Sequence, residues 1–125
     1  MKADVVIINY RTHRETSEAV KSVMKYCDFG QIVVVDNSDN WDHWRRLVVE
    51  LLPGVGKVID CYYSSDDVNL QIIRAERNLG FGGGCNYAIR KGELKSDLIW
   101  FLNSDCVLTE DALSPLVNRM KNGKY

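Results

Sequence analysis

Three polar residues that could bind a metal ion follow an apolar run late in the chain. The apolar run is Leu98–Leu102, and Asn103–Asp105 comes directly after it. If the run is a strand buried on both faces of a parallel sheet, Asp105 lies at the carboxyl edge, where such sheets bind ligands. A carboxylate there can hold a divalent cation, which in turn binds phosphates. The alternative is a plain turn, since Asn, Ser and Asp are all common turn residues.

Two earlier apolar runs also end in polar residues. Tyr10 follows the strand-like segment Asp4–Asn9, and Asn37 follows the strand-like segment Gln31–Asp36. Parallel strands end at one edge of a sheet, so all three polar groups should converge there. A nucleotide base could stack on the Tyr10 ring, and the Asp36 carboxylate could accept from a base N–H or a ribose hydroxyl. Taken singly, Tyr10 is more often a surface aromatic and Asp36 a capping carboxylate; their convergence is what favours a nucleotide site.

A glycine-rich segment, 77–84, is predicted to form a turn before a helix over 85–91. Its glycines allow a backbone to approach a ligand closely, and the following helix N-terminus favours anionic groups. The G-x-G spacing does not indicate a dinucleotide site, because that fingerprint belongs after the first strand of the fold. Arg77 could add a positive charge here, and Asn78 and Asn86 could add amide contacts, although Asn86 could equally be an exposed helix residue.

The elements that must position these groups alternate between strand and helix. A strand, a helix beginning at Thr12 or His13, a strand and a helix over 42–52 occupy about the first fifty residues, which predicts a right-handed, parallel α/β sheet. Residues 56–70 are either an insertion or an extra strand. Further strands are predicted over 71–74 and 98–102, and a last helix is expected to begin after an N-cap at Thr109 and end near Lys121.

Composition narrows the class of protein. The 125 residues are enough for one domain with one core. A formal charge of −1 gives no reason to expect nucleic-acid binding, and no apolar run approaches the roughly 20 residues of a membrane span. The four cysteines have no zinc-ligand spacing, so free and mostly buried thiols are expected. We expect a cytoplasmic protein.

Four sequence blocks together resemble a known family. They are Val5–Tyr10, Ile32–Ser38, Asn78–Asn86 and Phe101–Asp105. In this order and spacing they resemble the family-two inverting glycosyltransferases with the GT-A fold, in particular the rhamnosyltransferase-like group, over about residues 3–108. The resemblance implies a mostly parallel, Rossmann-like sheet flanked by helices. It also implies a nucleotide-diphosphate sugar donor and a saccharide acceptor, as in polysaccharide biosynthesis.

The resemblance also implies roles for particular residues. In that family, residues after the first two strands hold the base, the Asn-x-Gly block lies near the nucleotide and sugar, and a D-x-D-like motif holds Mg²⁺ or Mn²⁺ on the diphosphate. The first motif position is Asn103 here, so Asp105 is the one motif carboxylate for the metal. With the arguments above, the expected nucleotide-sugar contacts are Asn9, Tyr10, Asp36, Asn37, Arg77, Asn78, Gly80, Asn86 and Asn103.

The general base of the transfer is not found among these motifs. Enzymes of the resembled family need an Asp or Glu within reach of the acceptor hydroxyl, and an acceptor-binding stretch after the motif. Twenty residues follow Asp105, and helix capping explains their acidic pair, Glu110 and Asp111. We therefore expect residues 1–125 to be a single donor-binding domain, an incomplete GT-A domain with little or no transfer activity.

Two alternatives to an enzyme stay open from the sequence. One is a non-catalytic nucleotide-sugar-binding module or partner subunit, and the other is a degenerate remnant without ligand binding. Apolar surface left uncovered by a partial sheet predicts a homo-oligomer or a partner chain.

Overall fold

The computed structural model describes residues 2–123. The five strands are β1 (Ala3–Asn9), β2 (Ile32–Asp36), β3 (Tyr62–Ser65), β4 (Leu70–Arg74) and β5 (Leu98–Leu102). The four helices are α1 (His13–Tyr26), α2 (Trp41–Leu51), α3 (Gly80–Lys91) and α4 (Leu113–Lys121). No helix in this part of the chain combines the length and the apolar character needed to cross a membrane.

All five strands form one sheet in the order β3-β4-β2-β1-β5. β4, β2, β1 and β5 run parallel, and β3 pairs antiparallel with β4. The predicted α/β class with a mostly parallel sheet is therefore confirmed. Within the segment 56–70, the extended residues Tyr62–Ser65 pair with β4 and add a fifth strand to the sheet.

Helices cover both faces of the sheet. On one face, Val5 and Ile7 of β1 pack with Val20 of α1 and with Trp44 and Leu47 of α2. On the other face, Val6, Val33 and Val35 pack with Ala88 of α3. Every residue of β2 is buried, as is usual for a central parallel strand covered on both faces. The central strands β1 and β2 are thus fixed from both sides, and their carboxyl ends have a defined position.

β5 is not buried on both faces, contrary to the sequence prediction. It lies at the edge of the sheet, and its burial alternates along the strand. Ile99 and Phe101 are exposed because α3 packs on β1 and β2 and leaves the same face of β5 uncovered. An apolar run alone does not distinguish a central strand from an edge strand.

The predicted starts of the last two helices were also wrong. α3 begins at Gly80, so the glycines form its first turns and not a loop. A Cβ on Gly84 would come within 3.0 Å of Ile8 Cδ1 and Asn37 Nδ2, so glycine allows α3 to pack close to the strand ends. α4 begins at Leu113 after an N-cap at Ala112, and not after one at Thr109. Its first two amides donate to the side chain of Asp111, at 3.0 Å from Oδ1.

The thiols are free, as expected, but they are not mostly buried. Only Cys85 is buried, Cys27 is half-buried, and Cys61 and Cys106 are exposed.

Candidate functional site

The polar residues at the ends of the parallel strands lie at one edge of the sheet, the carboxyl edge. Asn9 is the register partner of Asp36, and Asp36 is the register partner of Arg74. Leu102 pairs with Ile7, so Asn103 lies just beyond β5, beside the end of β1. The loops after β1, β2 and β5 thus leave the sheet side by side.

The direction in which strands are added to the sheet reverses between β1 and β5. β2 lies next to β1 on one side and is reached through α1, which packs on one face of the sheet. β5 lies next to β1 on the other side and is reached through α3, which packs on the opposite face. Such a reversal is the topological switch point at which open parallel sheets bind ligands. The loops beginning at Tyr10 and Asn103 flank it.

Asn9 and Asp36 form a buried pair at this edge. Asn9 Nδ2 donates to Asp36 Oδ1 at 2.9 Å, and the Ser38 backbone N–H donates to the same oxygen at 3.0 Å. Thr16 Oγ1 donates to Asn9 Oδ1 at 2.6 Å, which orients the Asn9 amide toward Asp36. Asn9, Asp36 and Thr16 are all fully buried, so the pair lies beneath the loops that follow the strands.

Two buried side-chain oxygen atoms at this edge accept no hydrogen bond within residues 2–123. They are Asp36 Oδ2 and Asn37 Oδ1; the Asn37 amide Nδ2 donates to Gly80 O at 2.8 Å. Burial raises the pKa of Asp36, opposed by hydrogen bonds from Ser38 and Asn9 and by the charge of Arg74. An unpaired buried acceptor costs free energy that a donor would recover. A ligand N–H or O–H can therefore pair with Asp36.

Above the pair, the loops after β1 and β2 are tied together by Arg11. Its backbone N–H donates to Ser38 Oγ at 2.8 Å, and its guanidinium lies 2.6 Å from Asp39 Oδ1. The guanidinium carbon also lies 5.3 Å from the centroid of the Tyr10 ring, which is 43% exposed at the rim. Arg11 has φ = 56°, an unusual left-handed conformation for a side chain of this size.

The glycine-rich segment forms a separate part of this surface. Arg77 and Asn86 line a cavity of about 580 Å³ together with Arg90, and none of its lining residues belongs to the buried pair. The Oδ1 atom of Asn78 accepts from Gly80 N at 3.0 Å, next to the start of α3. Gly80 has φ = 72°, which requires glycine at the start of this helix.

Asn103 and Asp105 are both exposed, in a turn closed by a hydrogen bond from Cys106 N to Asn103 O at 3.1 Å. No cluster of three or more His, Cys, Asp or Glu side chains suited to a metal occurs within residues 2–123. One exposed carboxylate fits Mg²⁺ or Mn²⁺ only as part of a site in which substrate phosphates and water supply the other ligands. The donor set at Asp105 fits that arrangement.

The roles of four residues at this site were not predicted from the sequence: Arg11, Thr16, Ser38 and Asp39. Thr16 lies one helical turn into α1, seven residues after Asn9, where only the three-dimensional path of the chain brings them together. A left-handed Arg has no compositional signal, because Gly, Asn and Asp are the residues expected there.

The chain is similar to a known protein family and to solved structures. The family model described as glycosyl transferase family 2 matches residues 4–125. No curated protein gave a match to the sequence. Among solved structures, the chain is similar to S. aureus TarS, with 21% identity and a TM-score of 0.65 over 98% of this chain and 20% of that one. It is also similar to the crystal structure of S. aureus TarS 1-349, with 21% identity and a TM-score of 0.66 over 98% of this chain.

This chain spans a fifth of the first TarS structure and a third of the second. At 21% identity the likeness concerns the fold alone, and it agrees with the predicted partial α/β domain of the GT-A type.

Proposed function

We propose a donor-binding function for this chain, which belongs to glycosyl transferase family 2. The chain binds a nucleotide-diphosphate sugar, the donor of an inverting transfer to a saccharide acceptor. The observation that carries the proposal is the unpaired, buried Asp36 Oδ2 at the carboxyl end of β2. It is an acceptor at the edge of the sheet where parallel folds bind nucleotides, and a base N–H or ribose hydroxyl is the donor it lacks.

The base lies between Tyr10 and Asp36 in this proposal. The exposed Tyr10 ring offers a stacking surface, and Asn9 and Thr16 hold the Asp36 carboxylate in place from below. Because Asp36 is fully buried, the loop over 37–40 must move for a base to reach it. The Arg11–Asp39 ion pair that ties this loop down is exposed, and such pairs are weak enough to open.

The diphosphate lies toward the loop after β5. Asp105 would hold Mg²⁺ or Mn²⁺, which when bound supplies charge neutralisation for the diphosphate. Asn103 and Asn86 are exposed and available for amide contacts, and Arg77 adds a positive charge. Asn37 and Asn78 belong to the proposed contacts as well, through the Asn37 Oδ1 and Asn78 Nδ2 atoms. Their other side-chain atoms help to fix the start of α3 through Gly80.

Donor binding, and not transfer, is the activity proposed for these 125 residues. The Asp111 side chain accepts from the first two amides of α4, and we assign no general base among residues 2–123. The rhamnosyltransferase-like subgroup, a role in polysaccharide biosynthesis and a cytoplasmic location stay predictions. A non-catalytic module or a degenerate remnant is favoured by no particular contact in the structure.

Calorimetric titration with UDP, dTDP and GDP, each with and without Mn²⁺, tests the proposal. We expect one nucleotide to bind, and Asp36→Ala to weaken it about tenfold or more, because a hydrogen bond to a charged group is lost. Asp105→Ala should remove the Mn²⁺ dependence. Asp66→Ala, at an exposed turn distant from this edge, is the control. A folded chain that binds none of the three nucleotides would refute donor binding and favour the remnant.

A further inference from the structure

Thr16 is a fully buried polar residue early in α1, the helix between β1 and β2. A threonine inside a helix can donate its hydroxyl to the backbone carbonyl one turn earlier. The Thr16 hydroxyl instead donates to the side chain of Asn9, at 2.6 Å from Oδ1. Burying a hydroxyl is costly unless it is hydrogen-bonded, so this contact holds the Thr16 side chain and the Asn9 amide in place together.

The hydrogen bonds around Asn9 determine the orientation of its amide. An ionised carboxylate accepts hydrogen bonds and donates none, so the Asn9 atom that lies 2.9 Å from Asp36 Oδ1 must be Nδ2. The other side of the amide presents Oδ1, and the hydroxyls of Thr16 and Thr12 lie 2.6 and 3.2 Å from it. Thr16 is the closer of the two donors and is fully buried. A residue of α1 therefore determines which Asn9 atom faces Asp36.

The Asn9 amide in turn determines which oxygen of Asp36 is occupied. Asn9 Nδ2 and the Ser38 backbone N–H both donate to Oδ1, at 2.9 and 3.0 Å, whereas Oδ2 accepts no hydrogen bond within residues 2–123. The last side-chain torsion of an aspartate has only a broad preference of its own. Two donors on one oxygen restrict this torsion, and the direction of the second oxygen is then defined.

We propose that Thr16 is a positioning residue, which acts through Asn9 to keep Asp36 Oδ2 unoccupied and oriented for the N–H or O–H of a ligand. That the ligand is a nucleotide rests on the donor-binding function proposed above. Thr16 itself does not touch the ligand, because it lies beneath the Asn9–Asp36 pair. It orders the acceptor before the ligand arrives, and a preordered acceptor binds more tightly because less freedom is lost on binding.

Calorimetric titration with the nucleotide that the wild type binds tests the effect on the ligand. Thr16→Val keeps the shape of threonine without its hydroxyl, and it should bind about three- to tenfold more weakly, the effect of one hydrogen bond. Thr16→Ser keeps the hydroxyl and should bind like the wild type. Ser17→Ala is the matched control and should also bind like the wild type, because Ser17 is fully buried in the same helix and its Oγ has no hydrogen-bond partner within residues 2–123. A folded Thr16→Val variant that binds like the wild type, or a Thr16→Ser variant as weak as Thr16→Val, would overturn the proposal.

Nuclear magnetic resonance of the isotope-labelled chain tests the same role without a nucleotide. The Asn9 side-chain amide is assigned through its covalent connection to the Asn9 backbone. One of its protons faces the Asp36 carboxylate in the wild type, so its signal should be shifted downfield and should exchange slowly with water. In Thr16→Val this proton should exchange about fivefold faster or more, because the amide loses its closest support. In Thr16→Ser and Ser17→Ala its exchange should not change.

Two results of this measurement would contradict the positioning role. One is a wild-type Asn9 signal at the ordinary position of a free amide, and the other is a signal that Thr16→Val leaves unchanged. The measurement also separates this inference from the proposed function. If no nucleotide binds the wild type, donor binding is refuted, and the Asn9 signal alone decides whether Thr16 positions Asp36.

Discussion

The negative charge of the buried Asp36 carboxylate destabilises the folded chain when no ligand is bound. Burial raises its pKa, so the folded chain holds the proton more tightly than the unfolded chain does. For such a group the folded state loses stability as the pH rises from the unfolded pKa, about 4, through the higher folded pKa. Asp36→Asn keeps an oxygen for Asn9 and Ser38 and removes the charge. We therefore expect the stability of this variant, relative to the wild type, to rise over that range and then level off.

Urea denaturation of both proteins between mildly acidic and neutral pH measures this difference. The same variant should bind nucleotide more weakly, because the amide replaces an acceptor by a donor at Oδ2. Asp66→Asn, an exposed carboxylate, is the control and should follow the wild type. A difference that does not change with pH would mean that the Asp36 charge is not costly in the folded chain.

Individual residues at the site were predictable to different degrees. Asp36 and Asn9 each lie at the end of a run of β-branched residues, so the strand pattern alone predicted that both lie at one edge of the sheet. The burial of both was not predictable, because the covering loop and its ties through Arg11 are tertiary features. Asn78 stays a predicted ligand contact, and the hydrogen bond that its Oδ1 accepts from Gly80 N was not predicted from the sequence.

At the level of secondary-structure elements, α3 contains two glycines that differ in how closely other atoms surround them. A Cβ on Gly84 would lie 3.0 Å from Asn37 Nδ2 and Ile8 Cδ1, whereas one on Gly82 would meet nothing within 4 Å. Gly84→Ala should destabilise the chain by about 1–3 kcal/mol through overpacking. Gly82→Ala should stabilise it by about 0.5–1 kcal/mol, because alanine is the better helix former.

The free energy of unfolding of the two variants checks this prediction. Gly84→Ala should also weaken nucleotide binding, since it pushes on Asn37 beside Asp36, and Gly82→Ala should not. Equal effects of the two changes on stability would show that α3 does not pack tightly against β1 and β2.

The same helix shows why the position of an element was not always predictable from the sequence pattern. Several glycines in a row predict a turn, because glycine is a poor helix former. Here the need for close approach at Gly84 outweighs that propensity, and the helix starts at Gly80. β5 was predicted with the correct bounds, but its edge position depends on strand order, which local sequence does not encode.

At the scale of the whole molecule, Asp4 joins segments that are far apart in the sequence. Its carboxylate accepts from Gln31 N at 2.8 Å, from Lys95 N at 2.6 Å, and from Ser96 N and Oγ at 2.9 and 2.7 Å. Asp4 is fully buried at the end of β1 opposite the candidate site. It therefore fastens the chain before β2 and the chain before β5 to the central strand.

Asp4→Ala should accordingly destabilise the whole domain. The expected cost is about 2–4 kcal/mol, because several donors at the base of the sheet lose a charged acceptor at once. Urea unfolding followed by circular dichroism measures it, and the transition should stay a single one, since β1, β2 and β5 share this anchor. Asp28→Ala is the control: Asp28 is exposed and forms an ion pair with Lys2, so the change should stay within about 0.5 kcal/mol. If Asp4→Ala instead melted the β5 region alone, in a separate early transition, β5 would be only loosely joined to the rest of the sheet.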